Sequence, residues 1–148
     1  MNIKVIIIYP NSDAGSQSII KEIESHNSSL ISKFRNLSRK KYLYLLKNCL
    51  FIIGNSSSGI IEAPFFKKAC INIGRRQKGR YKGLNVVDCD SSLISIRKSI
   101  AKVMSKEFKE NLKTCKSPYG DGNSTKQLIE LLIHHKTSQK LIVKDLTC

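Results

Sequence analysis

Residues 52–64 read Ile-Ile-Gly-Asn-Ser-Ser-Ser-Gly-Ile-Ile-Glu-Ala-Pro and constrain the fold more than any other stretch of the chain. A short apolar run, residues 50–53, halts at Gly54 and gives way to four small polar residues before apolar residues return. This pattern predicts a strand, a tight turn and a helix beginning near Ser58. The first turn of a helix carries N–H groups without intrahelical partners, and the helix dipole adds partial positive charge there. Small residues ahead of it allow a phosphate to approach the backbone, so the place suits an anion. Glu62 follows about one turn into the predicted helix, where a carboxylate can accept hydrogen bonds from ligand hydroxyls. Amides for phosphates and a carboxylate for a diol together suit a nucleotide. The competing reading is that Asn55, Ser56, Ser57 and Ser58 only cap the helix, and on the turn alone that reading is favoured; the rest of the chain changes the balance.

The rest of the chain repeats the same alternation. Residues 3–9 are nearly all apolar and β-branched, which predicts a parallel strand buried on both faces, ended by Pro10. A polar loop follows, then Ile19, Ile20 and Ile23 at helical spacing to about Ser25. A weak strand is predicted at 30–34, and Ser38 as the cap of a helix carrying Tyr42, Leu45 and Leu46. Its first turn holds Arg39, Lys40 and Lys41, which the helix dipole disfavours, so an anion or a neighbouring surface explains them better than helix stability. Beyond the central turn, strands are predicted at 70–73 and 86–88, flanking a loop at 75–83 with five cationic residues: Arg75, Arg76, Lys78, Arg80 and Lys82. Leu93, Ile96, Ile100 and Val103 mark a long amphipathic helix, and Leu128, Leu131 and Leu132 a last one, with Ser124 and Gln127 as a capping box. Strands alternating with helices imply an α/β fold, a parallel sheet sandwiched by helices with right-handed crossovers. Ligands of such sheets bind at the carboxyl ends of the strands, and here those ends are polar, glycine-bearing and in one case strongly cationic. The expected ligand is an anion.

Length and composition fit one domain of ordinary character, expected over residues 1–135 with a tail at 136–148: 148 residues, 41% hydrophobic and 25% charged. The tail's apolar patch at 141–143 has no assigned place. No apolar run has the length of a membrane span, and the start of the chain reads as a strand rather than a signal peptide. The five cysteines are odd in number and widely spaced without a Cys-x-x-Cys pair, which implies a reducing cytoplasmic setting without disulfides or a zinc site. The net charge of +15 favours polyanions in general. The basic residues are nevertheless scattered, without the aromatic interleaving of single-strand binders, so no specific nucleic-acid partner is expected.

Four motifs in one order resemble the UDP-N-acetylglucosamine 2-epimerases, nearest to the hydrolysing, sialic-acid-pathway branch. They are Pro10-Asn11-Ser12-Asp13-Ala14-Gly15-Ser16, Gly54-Asn55-Ser56-Ser57-Ser58-Gly59 with Glu62, Asn72-Ile73-Gly74-x-Arg76-Gln77-x-Gly79-Arg80, and Tyr119-Gly120-Asp121-Gly122-Asn123. The resemblance runs from Val5 to Leu132. It implies a Rossmann-like domain that forms the second, UDP-binding half of a two-domain GT-B arrangement. It also implies that Ser56 and Ser57 hold the diphosphate and Glu62 the ribose hydroxyls, that Asn11 and Arg76 line the nucleotide pocket, and that Leu37 makes a uracil-side backbone contact. The 119–123 loop is explained as a structural turn by its glycines and cap residues. No cofactor is implied; the partners are UDP or UDP-GlcNAc, with a missing first domain or a homo-oligomer completing the protein.

The family's acid–base carboxylates lie in its first domain, and its active-site histidine lies just ahead of the matching region. His26, His134 and His135 fall on or beside predicted helices and do not replace them, so no catalytic residue is assigned. Arg75 stands where relatives often carry a small or acidic residue. The implied function is the UDP-binding part of an epimerase, truncated or split, and inactive alone. The alternatives are the nucleotide half of a GT-B glycosyltransferase, against which the Arg-Gln-x-Gly-Arg loop argues, and a small basic nucleic-acid-binding protein.

Overall fold

The structure, a computed structural model, describes residues 3–12 and 15–134. Asp13, Ala14, His135 and the expected tail at 136–148, with its apolar patch, lie outside them. The chain divides into two compact units, Met1–Cys49 and Leu50–Cys148.

In the first unit β1 (Val5–Ile8), α1 (Ser16–Ser25), β2 (Ile31–Phe34) and α2 (Arg39–Asn48) follow the predicted order. The two strands are parallel, in register from Val5 opposite Ile31 to Ile8 opposite Phe34. Parallel strands need a crossover, and α1 supplies it. Gly15 opens α1 with φ of 84°, a conformation that side-chain-bearing residues rarely take. Burial of β1 on both faces is not found: Val5, Ile6 and Ile8 are 44%, 43% and 42% exposed. Among the described residues the strand pairs with β2 alone, and an apolar run does not itself determine how many layers cover it. In α2, Leu46 is buried and Ser38 occupies the N-cap without a side-chain hydrogen bond.

The second unit holds β3 (Phe51–Gly54), α3 (Ser58–Ile61), β4 (Ala69–Ile73), β5 (Val86–Cys89), α4 (Leu93–Met104), α5 (Lys106–Lys113) and α6 (Ser124–His134). Its three strands form a parallel sheet in the order β3-β4-β5. β4 is central and buried, as an apolar strand covered on both faces should be. On one face Ala69, Ile71 and Val87 pack with Val103 of α4 and, less buried, Phe108 and Leu112 of α5. On the other, Cys70 lies against α3 so closely that a Cβ on Gly59 would collide with its Sγ.

α3 begins at the predicted Ser58 and is only four residues long. Pro64 lacks an N–H, and the chain turns at Glu62 into a 3-10 turn, Ala63–Phe66, that ends at Lys67 with φ of 52°. The long helix predicted from Leu93 is followed by a separate one, because Ser105 both closes α4 and caps α5: its Oγ donates to Lys102 O and accepts from Phe108 N. In α6 the Gln127 amide bonds to Asn123 O, which moves the cap from Ser124 to Asn123. Parallel sheets flanked by helices, of the Rossmann-like α/β class, are the architecture expected from the alternation.

Candidate functional site

The polar turn lies where the motif predicted it, between the carboxyl end of β3 and the start of α3. Gly54 has φ of 146°, which suits glycine alone. Ser56 is exposed, and Ser57 and Ser58 are half-buried. Ser57 takes helical angles, φ −61° and ψ −23°, and makes no side-chain cap. A cap-like bond runs from Ser58 N to Ser56 Oγ, at 3.3 Å. Among the described residues, the N–H groups of Ser56 and Ser57 donate to no acceptor. The capping reading therefore leaves these donors unused, and they are what an anion would meet. The dipole has a smaller part than the sequence implied, since α3 is only four residues long and sums few peptide dipoles.

Glu62 directly follows α3 and is half-buried. Its amide bonds to Ser58 O at 2.9 Å, and its Oε2 accepts from Ser58 Oγ. The second bond draws the carboxylate back to the first residue of α3, next to the open amides. The turn thus presents donors for a phosphate and side-chain oxygens that can accept from hydroxyls within one short segment.

The second element of this site is the loop after β4. Arg75, Arg76, Lys78 and Arg80 are exposed, but the cationic count from the sequence needs one correction. Lys82 is engaged with Asp88, with Nζ at 2.9 and 2.8 Å from its two oxygens, while Asn72 donates to Asp88 Oδ1 at 2.7 Å. Burial works to raise the Asp88 pKa; the hydrogen bonds from Lys82 and Asn72 and the Lys82 charge outweigh it and hold it below the ordinary carboxylate value. Gln77 ties this loop to the turn by donating from Nε2 to Asn55 O at 2.8 Å. The 119–123 segment is closed on itself, with Asp121 accepting from Asn123 N at 3.0 Å, and Tyr119 OH donates to Tyr81 O at 3.1 Å. A structural turn accounts for it.

Of the six residues singled out in the sequence, Ser56, Ser57, Glu62 and Arg76 thus lie at the carboxyl ends of β3 and β4 in one unit. Asn11 and Leu37 follow β1 and β2 in the other unit. There Asn11 lines a cavity of about 380 Å³ with Pro10, Ser12, Ser16, Gln17 and Ile20, and Leu37 is half-buried. Residues the motifs gave no role are the buried amides Gln77, Asn72 and Asn85. Asn85 donates to Gly59 O and Lys68 O, at 3.1 and 3.0 Å, and so fixes α3 against the entry to β4. Their one signal in the sequence is an uncharged polar residue in or beside an apolar or cationic run, which is too common to select them. Burial pushes the Cys70 thiol up to about 12. Among the described residues no group of three His, Cys, Asp or Glu side chains could hold a metal ion, and no helix is long and apolar enough to cross a membrane.

A family model described as UDP-N-acetylglucosamine 2-epimerase matches residues 1–133. The GDP/UDP-N,N'-diacetylbacillosamine 2-epimerase (hydrolyzing) of Campylobacter jejuni is 42% identical over 113 residues, 74% of this chain and 29% of that protein. The UDP-N,N'-diacetylbacillosamine 2-epimerase (hydrolyzing) of Legionella pneumophila is 34% identical over 88% of this chain and 34% of its own length. The crystal structure of UDP-GlcNAc 2-epimerase from Neisseria meningitidis bound to UDP-GlcNAc superposes with a TM-score of 0.64, at 20% identity, over 89% of this chain and 36% of that one. That likeness shows a shared fold. The chain spans about a third of the length of these relatives.

Proposed function

The chain belongs to the UDP-N-acetylglucosamine 2-epimerase family, and from that premise we propose that it is the UDP-binding part of such an epimerase. The observation that carries the proposal is the pair of open amides at Ser56 and Ser57 beside the Glu62 carboxylate. In this reading the amides and hydroxyls of Ser56 and Ser57 hold the diphosphate, and Arg76 adds positive charge from the neighbouring loop. Glu62 accepts hydrogen bonds from the ribose hydroxyls, Asn11 lines the pocket, and Leu37 offers its backbone to the uracil. The complete enzyme eliminates UDP across C1–C2 of UDP-GlcNAc, and water then adds to the resulting glycal with inversion at C2 to release ManNAc, a sialic acid precursor. We place this in the cytoplasm. The acid and base for those steps belong to a first domain supplied by another segment or chain, so residues 1–148 alone bind the nucleotide without turning it over. Two of the relatives above are named for a diacetylbacillosamine nucleotide. That favours a second reading of the sugar, with the nucleotide site unchanged.

Ribose discrimination tests the proposal. A hydrogen bond to a charged group is worth about 1.5–3 kcal/mol, or roughly tenfold to a hundredfold in affinity. The chain should therefore bind 2′-deoxy-UDP more weakly than UDP, and Glu62→Gln should shrink the gap while leaving phosphate binding largely intact. Equal affinity of the wild-type chain for UDP and 2′-deoxy-UDP removes Glu62 from the ribose site.

A further inference from the structure

Gln77 lies in the most cationic loop of the chain, yet it is only 4% exposed. Its Nε2 sits 2.8 Å from Asn55 O. A carbonyl oxygen only accepts, so the atom facing it has to be the amide nitrogen, and the orientation of the side chain follows. The Gln77 Oε1 is buried and meets no donor among the described residues. A buried polar atom without a partner is a cost to folding, which an apolar side chain of similar shape would avoid. Stability therefore does not account for glutamine at this position.

The geometry of the peptide does. The Asn55–Ser56 peptide is trans, and in a planar trans peptide the N–H points opposite to the C=O. Holding Asn55 O toward the buried Gln77 turns the Ser56 N–H away from it, on the side where Ser56 is exposed. Among the described residues the Ser56 N–H makes no bond that would fix its direction. We infer that Gln77 is a positioning residue for the phosphate-binding turn: it sets the Asn55–Ser56 peptide plane and so aims the Ser56 amide at the diphosphate, without touching the ligand. Pre-aimed donors bind an anion more tightly than donors that must be ordered on binding. This inference rests on the UDP-binding reading above.

The test uses the 148-residue chain with Gln77→Met, which keeps the length of the side chain and removes the donor, and with Gln77→Glu. UDP and uridine are titrated separately, and Tm is recorded. Gln77→Met should bind UDP about tenfold more weakly, with uridine affinity and Tm unchanged. Gln77→Glu should be as weak at neutral pH and recover as the pH falls to about 5, because a buried carboxyl takes up a proton and can then donate to Asn55 O. Unchanged UDP affinity in Gln77→Met overturns the inference. So does an equal loss of UDP and uridine binding with a lower Tm, which would make Gln77 a packing residue only. If the wild-type chain does not bind UDP at all, the proposed function fails first. The Gln77 inference is then decided by ¹⁵N relaxation of the Ser56 amide: loosening in Gln77→Met supports it, and an amide as ordered as in the wild type overturns it.

Discussion

Ser57→Pro removes the backbone N–H and the side-chain hydroxyl of one residue of the turn. Ser57 has φ of −61°, close to the angle a proline ring imposes, so its own backbone angle suits the substitution. Its N–H donates to no acceptor among the described residues, so folding loses no hydrogen bond. A proline at a compatible position also restricts the unfolded chain and adds about 0.4–1 kcal/mol of stability. The variant should therefore unfold in urea at or slightly above the wild-type midpoint. Binding should go the other way. An amide bond to a diphosphate oxygen is charge-assisted and worth about 1.5–3 kcal/mol, so UDP affinity should fall roughly tenfold to a hundredfold. Ser57→Ala is the control, since it loses the hydroxyl and keeps the amide. Isothermal titration of both variants with UDP isolates the N–H as the ratio of the two affinities. Equal UDP affinity of the Pro and Ala variants, both folded, would refute the assignment of the Ser57 amide to the phosphate.

Gly59→Ala should destabilise the second unit by about 1–3 kcal/mol in urea unfolding, because the new Cβ meets Cys70 Sγ and lies 3.3 Å from Cys70 Cβ and 3.4 Å from Ile52 Cγ2. Adding Cys70→Ala should recover part of the loss; a double variant no better than Gly59→Ala would contradict the packing of α3 on β4. Asp88 has its folded pKa held below 3.8, so its stabilising contribution is fully present above that value and is lost as the pH falls through the folded pKa. The urea midpoint of the wild type should therefore drop toward that of Asp88→Asn as the pH is lowered from about 5 to about 2, and a gap independent of pH would exclude the Lys82–Asp88 pair as its source. Cys70, with its thiol pushed up to about 12, should resist iodoacetamide in peptide mapping while the half-buried Cys89 reacts. Preferential labelling of Cys70 would contradict its burial.

The β3–turn–α3 segment was legible because its signals are local: Gly54 permits the sharp turn, and Ser58 begins the helix at the predicted residue. What was not legible there came from residues further on. The 3-10 turn at Pro64 leaves α3 four residues long and its dipole small, and the Ser58 bond that draws Glu62 over the turn depends on side-chain geometry. The exposure of β1 shows the limit of hydrophobic runs, which identify a strand but not its coverage. The Leu93–Val103 periodicity does not extend to α5, whose Phe108 and Leu112 join the same core beyond the Ser105 break. Lys82 belongs to a cationic loop in the sequence but is paired with Asp88 in the fold, since a sequence gives the sign of a charge and not its partner. Gln77 stood inside a recognised motif, and its role emerges only from its burial and its bond to Asn55.

The most direct measurement is a ¹H–¹⁵N NMR titration of the 148-residue chain with UDP at physiological salt, repeated with duplex DNA. A nucleotide site at the turn should give saturable shifts that are largest at the Ser56, Ser57 and Glu62 amides, and DNA should not reproduce them. Unsaturable shifts spread over the lysine- and arginine-bearing surface, produced alike by UDP and DNA, would mean that the chain responds to anions through its net charge and that the turn is not a UDP site.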